Sequence, residues 1–166
     1  MGITALVDAA DSMLRRGDYS GAIPALEEVI SRTMELNTAP GRETLQKSRF
    51  QLARALFQTG DSPVGMKVIE QYLATEPRAQ AQERLALRMM AQGYLEAEEW
   101  GKVAEFSGRL LETPNLDKEN LLSANLLYGQ ALFRQEKWKE CIKPLAYTAK
   151  NSKDKKEDDL FFLTPR

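Results

Sequence analysis

Leu127-Tyr128-Gly129-Gln130-Ala131-Leu132-Phe133-Arg134-Gln135-Glu136-Lys137-Trp138, followed by Cys141-Ile142 and Leu145, is the stretch that decides the fold. Apolar residues recur three and four apart on both sides of Glu136-Lys137, which marks two helices joined by a short turn. The same pattern stands three more times in the chain. Gly17-Asp18-Tyr19 precedes Ala22-Ile23, Gly60-Asp61-Ser62 precedes Gly65-Met66, and Glu98-Glu99-Trp100 precedes Val103-Ala104. The equivalent residues Tyr19, Ser62, Trp100 and Trp138 lie 43, 38 and 38 positions apart. One supersecondary unit has therefore been copied along the chain, and a stacked-repeat solenoid is the expected architecture.

The unit resembles the tetratricopeptide repeat (TPR), a helix-turn-helix of about 34 residues with a small residue where the paired helices touch and a Pro after the second helix. The first unit carries Ala9-Ala10, Met13-Leu14, then Ala22-Ile23 and Leu26. The second carries Leu52-Ala53 and Leu56-Phe57, then Gly65-Met66, Ile69 and Tyr72, closing at Pro77. The third carries Met90-Ala91, Tyr94-Leu95 and Leu110-Leu111, closing at Pro114. Two departures stand out. The spacings exceed the usual repeat by roughly four residues or more, so the helices should be about a turn longer. Only Gly129 keeps a glycine at the close contact of the first helix; Ala10, Ala53 and Ala91 stand there otherwise, and Ala still permits close approach. The resemblance implies an all-α fold, a right-handed α-solenoid of antiparallel helix pairs with about eight helices. It implies one repeat domain over residues 1–150, with units at about 3–40, 42–77, 78–114 and 117–150.

Helices are expected near residues 3–16, 21–37, 42–59, 63–75, 78–97, 101–113, 118–135 and 139–151. Ser62 is placed to cap the helix that Pro63 opens. Pro40, Pro77 and Pro114 fall at junctions between units, while Pro24 and Pro144 sit inside second helices and are placed to kink them. Tyr19, Trp100 and Trp138 should pack into the joints between repeats.

Composition narrows the function. With 23 Lys and Arg against 24 Asp and Glu, the formal net charge is −1, so no overall basic excess exists to attract nucleic acid. No run of eighteen apolar residues is present, so no membrane insertion is expected. Met1-Gly2-Ile3-Thr4-Ala5 has no signal-peptide pattern; the chain reads as soluble, in the cytoplasm or, if a signal was removed, a bacterial periplasm. The chain has no histidine and one cysteine. That excludes Ser-His-Asp and Cys-His catalysis, imidazole metal ligation and an internal disulfide. Phosphate-binding glycine loops are absent too. The expectation is no enzyme, no cofactor and no metal. Cys141 is read as a packed core thiol.

Function in a solenoid lies on the face lined by the first helices. Carried over residue by residue, the resemblance gives a peptide-binding groove of Lys47, Phe50, Arg54 and Gln58 in the second unit. The third unit adds Arg88, Gln92 and Glu96, and the fourth Leu126, Gln130 and Arg134, with Val7 and Asp11 from the first. Arg54, Gln92 and Gln130 should form one row and Gln58, Glu96 and Arg134 a second, offering donors to peptide carbonyls and carboxylates. Phe50 and Leu126 are the expected apolar anchors. The Lys and Asn pair of the family's carboxylate clamp is replaced by Val7 and Asp11, so that specificity is not expected. The reading is a non-catalytic interaction module or scaffold holding a peptide or protein. The alternative is a self-associating structural segment of a larger repeat protein.

Residues 151–166 begin as a mixed-charge polar linker and end in the apolar Leu160-Phe161-Phe162-Leu163. This tail is read as a cap or the opening of a further repeat. Under the alternative, Asp158-Asp159-Leu160-Phe161-Phe162 docks in the groove of a neighbouring copy and makes a homo-oligomer.

Overall fold

The computed structural model describes residues 1–152. Eight helices follow one another with no strand among the described residues: α1 (Ile3–Arg15), α2 (Tyr19–Met34), α3 (Ala39–Gln58), α4 (Ser62–Leu73), α5 (Gln80–Glu96), α6 (Trp100–Glu112), α7 (Lys118–Arg134) and α8 (Trp138–Asn151). The all-α expectation of about eight helices holds. The chain divides into two compact units, Met1–Ala86 and Leu87 onward, with the division inside α5. The tail from 153 on, with its expected docking or capping role, lies outside the described residues.

The four turns that decided the sequence reading share one backbone geometry. The N–H of Asp18 donates to Met13 C=O at 2.8 Å, Asp61 to Leu56 at 2.8 Å, Glu99 to Tyr94 at 3.0 Å and Lys137 to Leu132 at 2.9 Å. Each bond spans five residues and ties the start of the next helix to a carbonyl in the last turn of the ending one. It requires a left-handed residue just before the donor, and these are Gly17 (φ 77°), Gly60 (φ 88°), Glu98 (φ 56°) and Glu136 (φ 61°). The donor residue is at the same time the N-cap of the next helix. Asp18 completes that role by accepting from the Gly21 N–H at 2.9 Å.

Constant turns put constant positions inside. Ala22, Gly65, Val103 and Cys141 are all buried, as are Val29, Tyr72, Leu110 and Thr148 about two turns on. The small first-helix residues Ala10, Ala53, Ala91 and Gly129 are buried as expected. At Gly129 a Cβ would lie 2.7 Å from Leu145 Cδ2 and 3.2 Å from the Leu145 backbone nitrogen, so α7 and α8 touch nearly backbone to side chain. In the first unit Ala10, Ala22, Leu26, Leu52 and Leu56 make a core onto which Met13, Ile23 and Ile30 pack.

Several local expectations shift. Asp61, not Ser62, is the N-cap of α4, which moves Pro63 to the second helical position. Pro40 lies inside the first turn of α3, behind the N-cap Thr38, instead of in the junction; a proline costs no hydrogen bond there either. Neither Pro24 nor Pro144 ends its helix. The second helices begin at Tyr19, Ser62, Trp100 and Trp138, up to two residues before the sequence-based starts, because the turn closes so tightly.

A polar knot forms where α4 ends. Gln46 donates to the carbonyls of Tyr72 (2.9 Å) and Thr75 (2.7 Å), and Arg78 donates to those of Leu73 (3.1 Å) and Thr75 (2.9 Å). Arg49, buried and without a carboxylate among the described residues, reaches Gln46 Oε1 at 3.2 Å and Thr75 Oγ1 at 3.3 Å. Its burial lowers the guanidinium pKa from the ordinary value. Beside it Tyr72 is fully buried, its ring 5.7 Å from that of Phe50, and its hydroxyl has no hydrogen-bond partner among the described residues. Burial first, then the nearby Glu83 carboxylate, pushes the Tyr72 phenol up to about 12.

Two outcomes follow. Gly17→Ala and Gly60→Ala should each cost about 1 kcal/mol, the steric penalty of a Cβ in the left-handed region, whereas Glu136→Gly should leave stability unchanged or raise it; urea denaturation reads both. Because the folded state holds the Tyr72 proton more tightly, its stability is complete below pH 10 and drains away between pH 10 and about 12. Tyr72→Phe, which also removes an unpaired buried hydroxyl, should denature less steeply than the wild type across that window in an alkaline titration followed by circular dichroism.

Candidate peptide-binding cleft

Asp11 of α1 reaches Lys47 and Gln51 of α3, and α2 begins at Tyr19, four residues after α1 ends. Residues three and four apart on a helix share a face. Asp11, Leu14 and Arg15 therefore align on α1, and Lys47, Gln51, Arg54 and Gln58 align on α3. Between them a cleft of about 290 Å³ opens, lined by Asp11, Leu14, Arg15, Tyr19, Gln51 and Arg54.

The cleft has an internal division of charge. Asp11 accepts from Gln51 Nε2 at 2.9 Å with one oxygen, and its other oxygen stands 3.4 Å from Lys47 Nζ. That carboxylate is occupied by the wall itself. Arg15 and Arg54, both exposed, have no ion pair among the described residues. The opening thus presents two guanidinium groups, a half-buried tyrosine and a leucine. An arginine can donate two parallel hydrogen bonds to a carboxylate or bridge peptide carbonyls, while Tyr19 and Leu14 offer an apolar surface beside it.

The expected groove residues divide in the structure. Lys47, Arg54 and Gln58 are exposed on α3 as read from the sequence. Phe50 is not an anchor: at 4% exposure it packs against Tyr72, because α3 is flanked by α2 and α4 and the Phe50 side of the helix faces α4. In the compact unit from Leu87 onward Gln92 and Glu96 are exposed and Leu126 is half-buried. Arg88 is half-buried and donates to Asn120 Oδ1 at 3.2 Å. Arg134 lies with its guanidinium carbon 5.3 Å from the centre of the Trp100 ring, a cation–π contact. Gln130 is buried, its Oε1 unpartnered among the described residues, so it does not continue an exposed row. Val7 and Asp11 are half-buried on α1.

Sequence reasoning missed Arg15, Leu14 and Gln51. Their signal was present in the three- and four-residue spacing from Asp11 and from Arg54. Tyr19, read as filling a joint between repeats, lines the cleft as well.

The chain matches no protein-family model, and no curated protein matches it. Solved structures do. The nearly identical TPR-like repeats assigned to a kinesin light chain of Podosopora anserina are similar at a TM-score of 0.64 and 15% identity, over 93% of this chain and 76% of that one. A variant of those repeats gives 0.65 and 15% over 92% and 76%. MamA MSR-1 C2 is similar at 0.60 and 16%, over 88% of this chain and 74% of that one. The fold is a TPR-like helical repeat, as the residues of the turns implied. Among the described residues no helix is long and apolar enough to cross a membrane.

The Asp11 pair is partly exposed, with side-chain exposures of 50% for Lys47 and 27% for Asp11. Such pairs contribute less than about 1 kcal/mol. Asp11→Asn should therefore leave the thermal midpoint within a few degrees of wild type, measured by differential scanning calorimetry, while making the cleft more positive.

Proposed function

We propose that this chain is a non-catalytic protein-interaction module that holds an extended segment of a partner protein in the cleft between α1 and α3. One observation carries the reading: Arg15 and Arg54 converge on a cavity whose only carboxylate, Asp11, is already engaged by Lys47 and Gln51. Cations held at a cavity and left without a counter-charge among the described residues favour a ligand that brings one. Tyr19 and Leu14 favour an apolar or aromatic residue next to that charge. Lys47 and Gln58 extend the donor surface along α3. In the compact unit from Leu87 onward, Arg88, Gln92 and Leu126 form a separate set of candidate contacts.

A protein or peptide suits this surface better than nucleic acid, since the formal net charge of −1 gives no general attraction to a polyanion. The TPR-like fold supports the same class of role, as a frame that displays side chains from stacked helices.

Selection from a phage-displayed library of extended peptides tests the proposal. Enriched sequences should pair an acidic residue with an aromatic or large apolar neighbour. Their affinity should fall about tenfold or more for Arg54→Glu, the loss expected when a charge-assisted hydrogen bond is removed, with circular dichroism confirming an unchanged fold. Enrichment of peptides indifferent to both Arg54→Glu and Arg15→Glu would reject the cleft as the site.

A further inference from the structure

The cleft between α1 and α3 holds more positive charge than one carboxylate can answer. Arg15 ends α1, Arg54 stands one turn before the end of α3, and both line the opening together with Tyr19, the first residue of α2. With Lys47 they make three cations against the single carboxylate of Asp11. Lys47 Nζ stands 3.4 Å from one Asp11 oxygen and Gln51 donates to the other at 2.9 Å, so both oxygens of Asp11 are taken up by α3. The charges of Arg15 and Arg54 therefore stay uncompensated among the described residues.

These donors suit a tetrahedral group better than a planar one. A carboxylate brings one negative charge and two oxygens, and a single guanidinium fills both in its two-bond mode. The second arginine would still lack a counter-charge. A phosphomonoester brings about −1.5 to −2 charges and three strong acceptor oxygens. Arg15, Tyr19 and Arg54 bring three separate donor groups, from α1, α2 and α3, to one cleft of about 290 Å³. A pair of side-chain carboxylates matches this less well, because an extended segment returns its side chains to one side only at alternate residues, about 7 Å apart. Leu14 is left as the apolar contact for a neighbouring side chain.

We infer that the cleft selects a phosphorylated residue on the extended segment it holds, with Arg15 and Arg54 sharing the phosphate oxygens and Tyr19 donating a further hydrogen bond. This rests on the cleft being the binding site, as proposed above, and names the group taken there. A segment with a free hydroxyl in that place leaves both cations unanswered, so phosphorylation of the partner switches its capture on. The ionisable side chains at the cleft are Asp11, Arg15, Tyr19, Lys47 and Arg54, and the chain has no histidine, the side chain that ordinarily changes charge between pH 5 and 8. A phosphomonoester does change there, since its second pKa is about 6. Binding that strengthens from pH 5.5 to 7 is thus the signature of the phosphate.

Fluorescence anisotropy on the full chain tests this with degenerate peptide libraries fixed at the centre as phosphoserine, phosphotyrosine, serine, glutamate or Glu-x-Glu. A phosphorylated library should bind about tenfold or more tighter than the serine, glutamate and Glu-x-Glu libraries, the gain expected of added charge-assisted hydrogen bonds. Arg15→Gln and Arg54→Gln should each shrink that preference. Lowering the pH from 7 to 5.5 should weaken the phosphorylated library about threefold or more and leave the glutamate library unchanged. Equal binding of glutamate or Glu-x-Glu and phosphorylated libraries, all weakened by Arg54→Gln, would overturn the phosphate preference and leave the cleft as the site of an acidic segment. Binding that is absent, or indifferent to both arginine changes, would overturn the cleft itself. Inorganic phosphate that displaces the phosphorylated library at equal concentration would also overturn the inference, by assigning the cleft to a free anion.

Discussion

A single backbone hydrogen bond, from the residue that caps a second helix to the carbonyl five residues back in the first, underlies the organisation of each helix pair. It recurs between Asp18 and Met13, Asp61 and Leu56, Glu99 and Tyr94, and Lys137 and Leu132. Because that bond fixes how the chain reverses, it fixes which side of the second helix meets the first. The buried series Ala22, Gly65, Val103, Cys141 and Val29, Tyr72, Leu110, Thr148 is its consequence. So is the cleft. Tyr19 is the first residue of α2, and it borders the opening because the turn at Gly17 sets it beside Leu14 and Arg15.

The turns were legible because their requirements are local. A left-handed residue, a cap and a small residue at fixed distances can be read off a single strand of text. The face of α3 could not be read in the same way. Leu45, Gln46, Ser48, Arg49, Phe50, Leu52, Ala53, Ala55 and Leu56 are all buried, so most of its circumference is covered. A helix flanked on several sides loses the contrast between a wet and a dry stripe. Phe50 and Arg54 stand one turn apart and look equivalent in the sequence, yet one faces the interior and the other the cleft. Gln130 misleads for the same reason on α7. The three-residue and four-residue spacings within α1 and α3 did contain the cleft, but which pair of helices would frame it depended on packing that spacing alone does not specify.

Gln46 and Arg49 show what replaces a sequence-local signal when polar groups are buried. The carbonyls at the end of α4 need donors, and they receive them from α3 and from Arg78 instead of from a glycine cap. Arg49 has no carboxylate among the described residues; it lies against the negative end of a helix and is bonded to an amide and a hydroxyl. A buried cation held by only two neutral acceptors, its Nε having none among the described residues, tolerates little rearrangement, since losing Gln46 or Thr75 would leave it a single acceptor. The α3–α4 junction is therefore specified by polar geometry as well as by apolar volume.

The lone cysteine has a use that its burial creates. Cys141 occupies the position taken elsewhere by Ala22, Gly65 and Val103, and its thiol donates to the Trp138 carbonyl at 3.2 Å. A maleimide or similar reagent reaches that sulfur only when α8 lifts from α7, and no second thiol competes for it. The alkylation rate under native conditions is then a clock for the opening of one helix pair, read without introducing any foreign label.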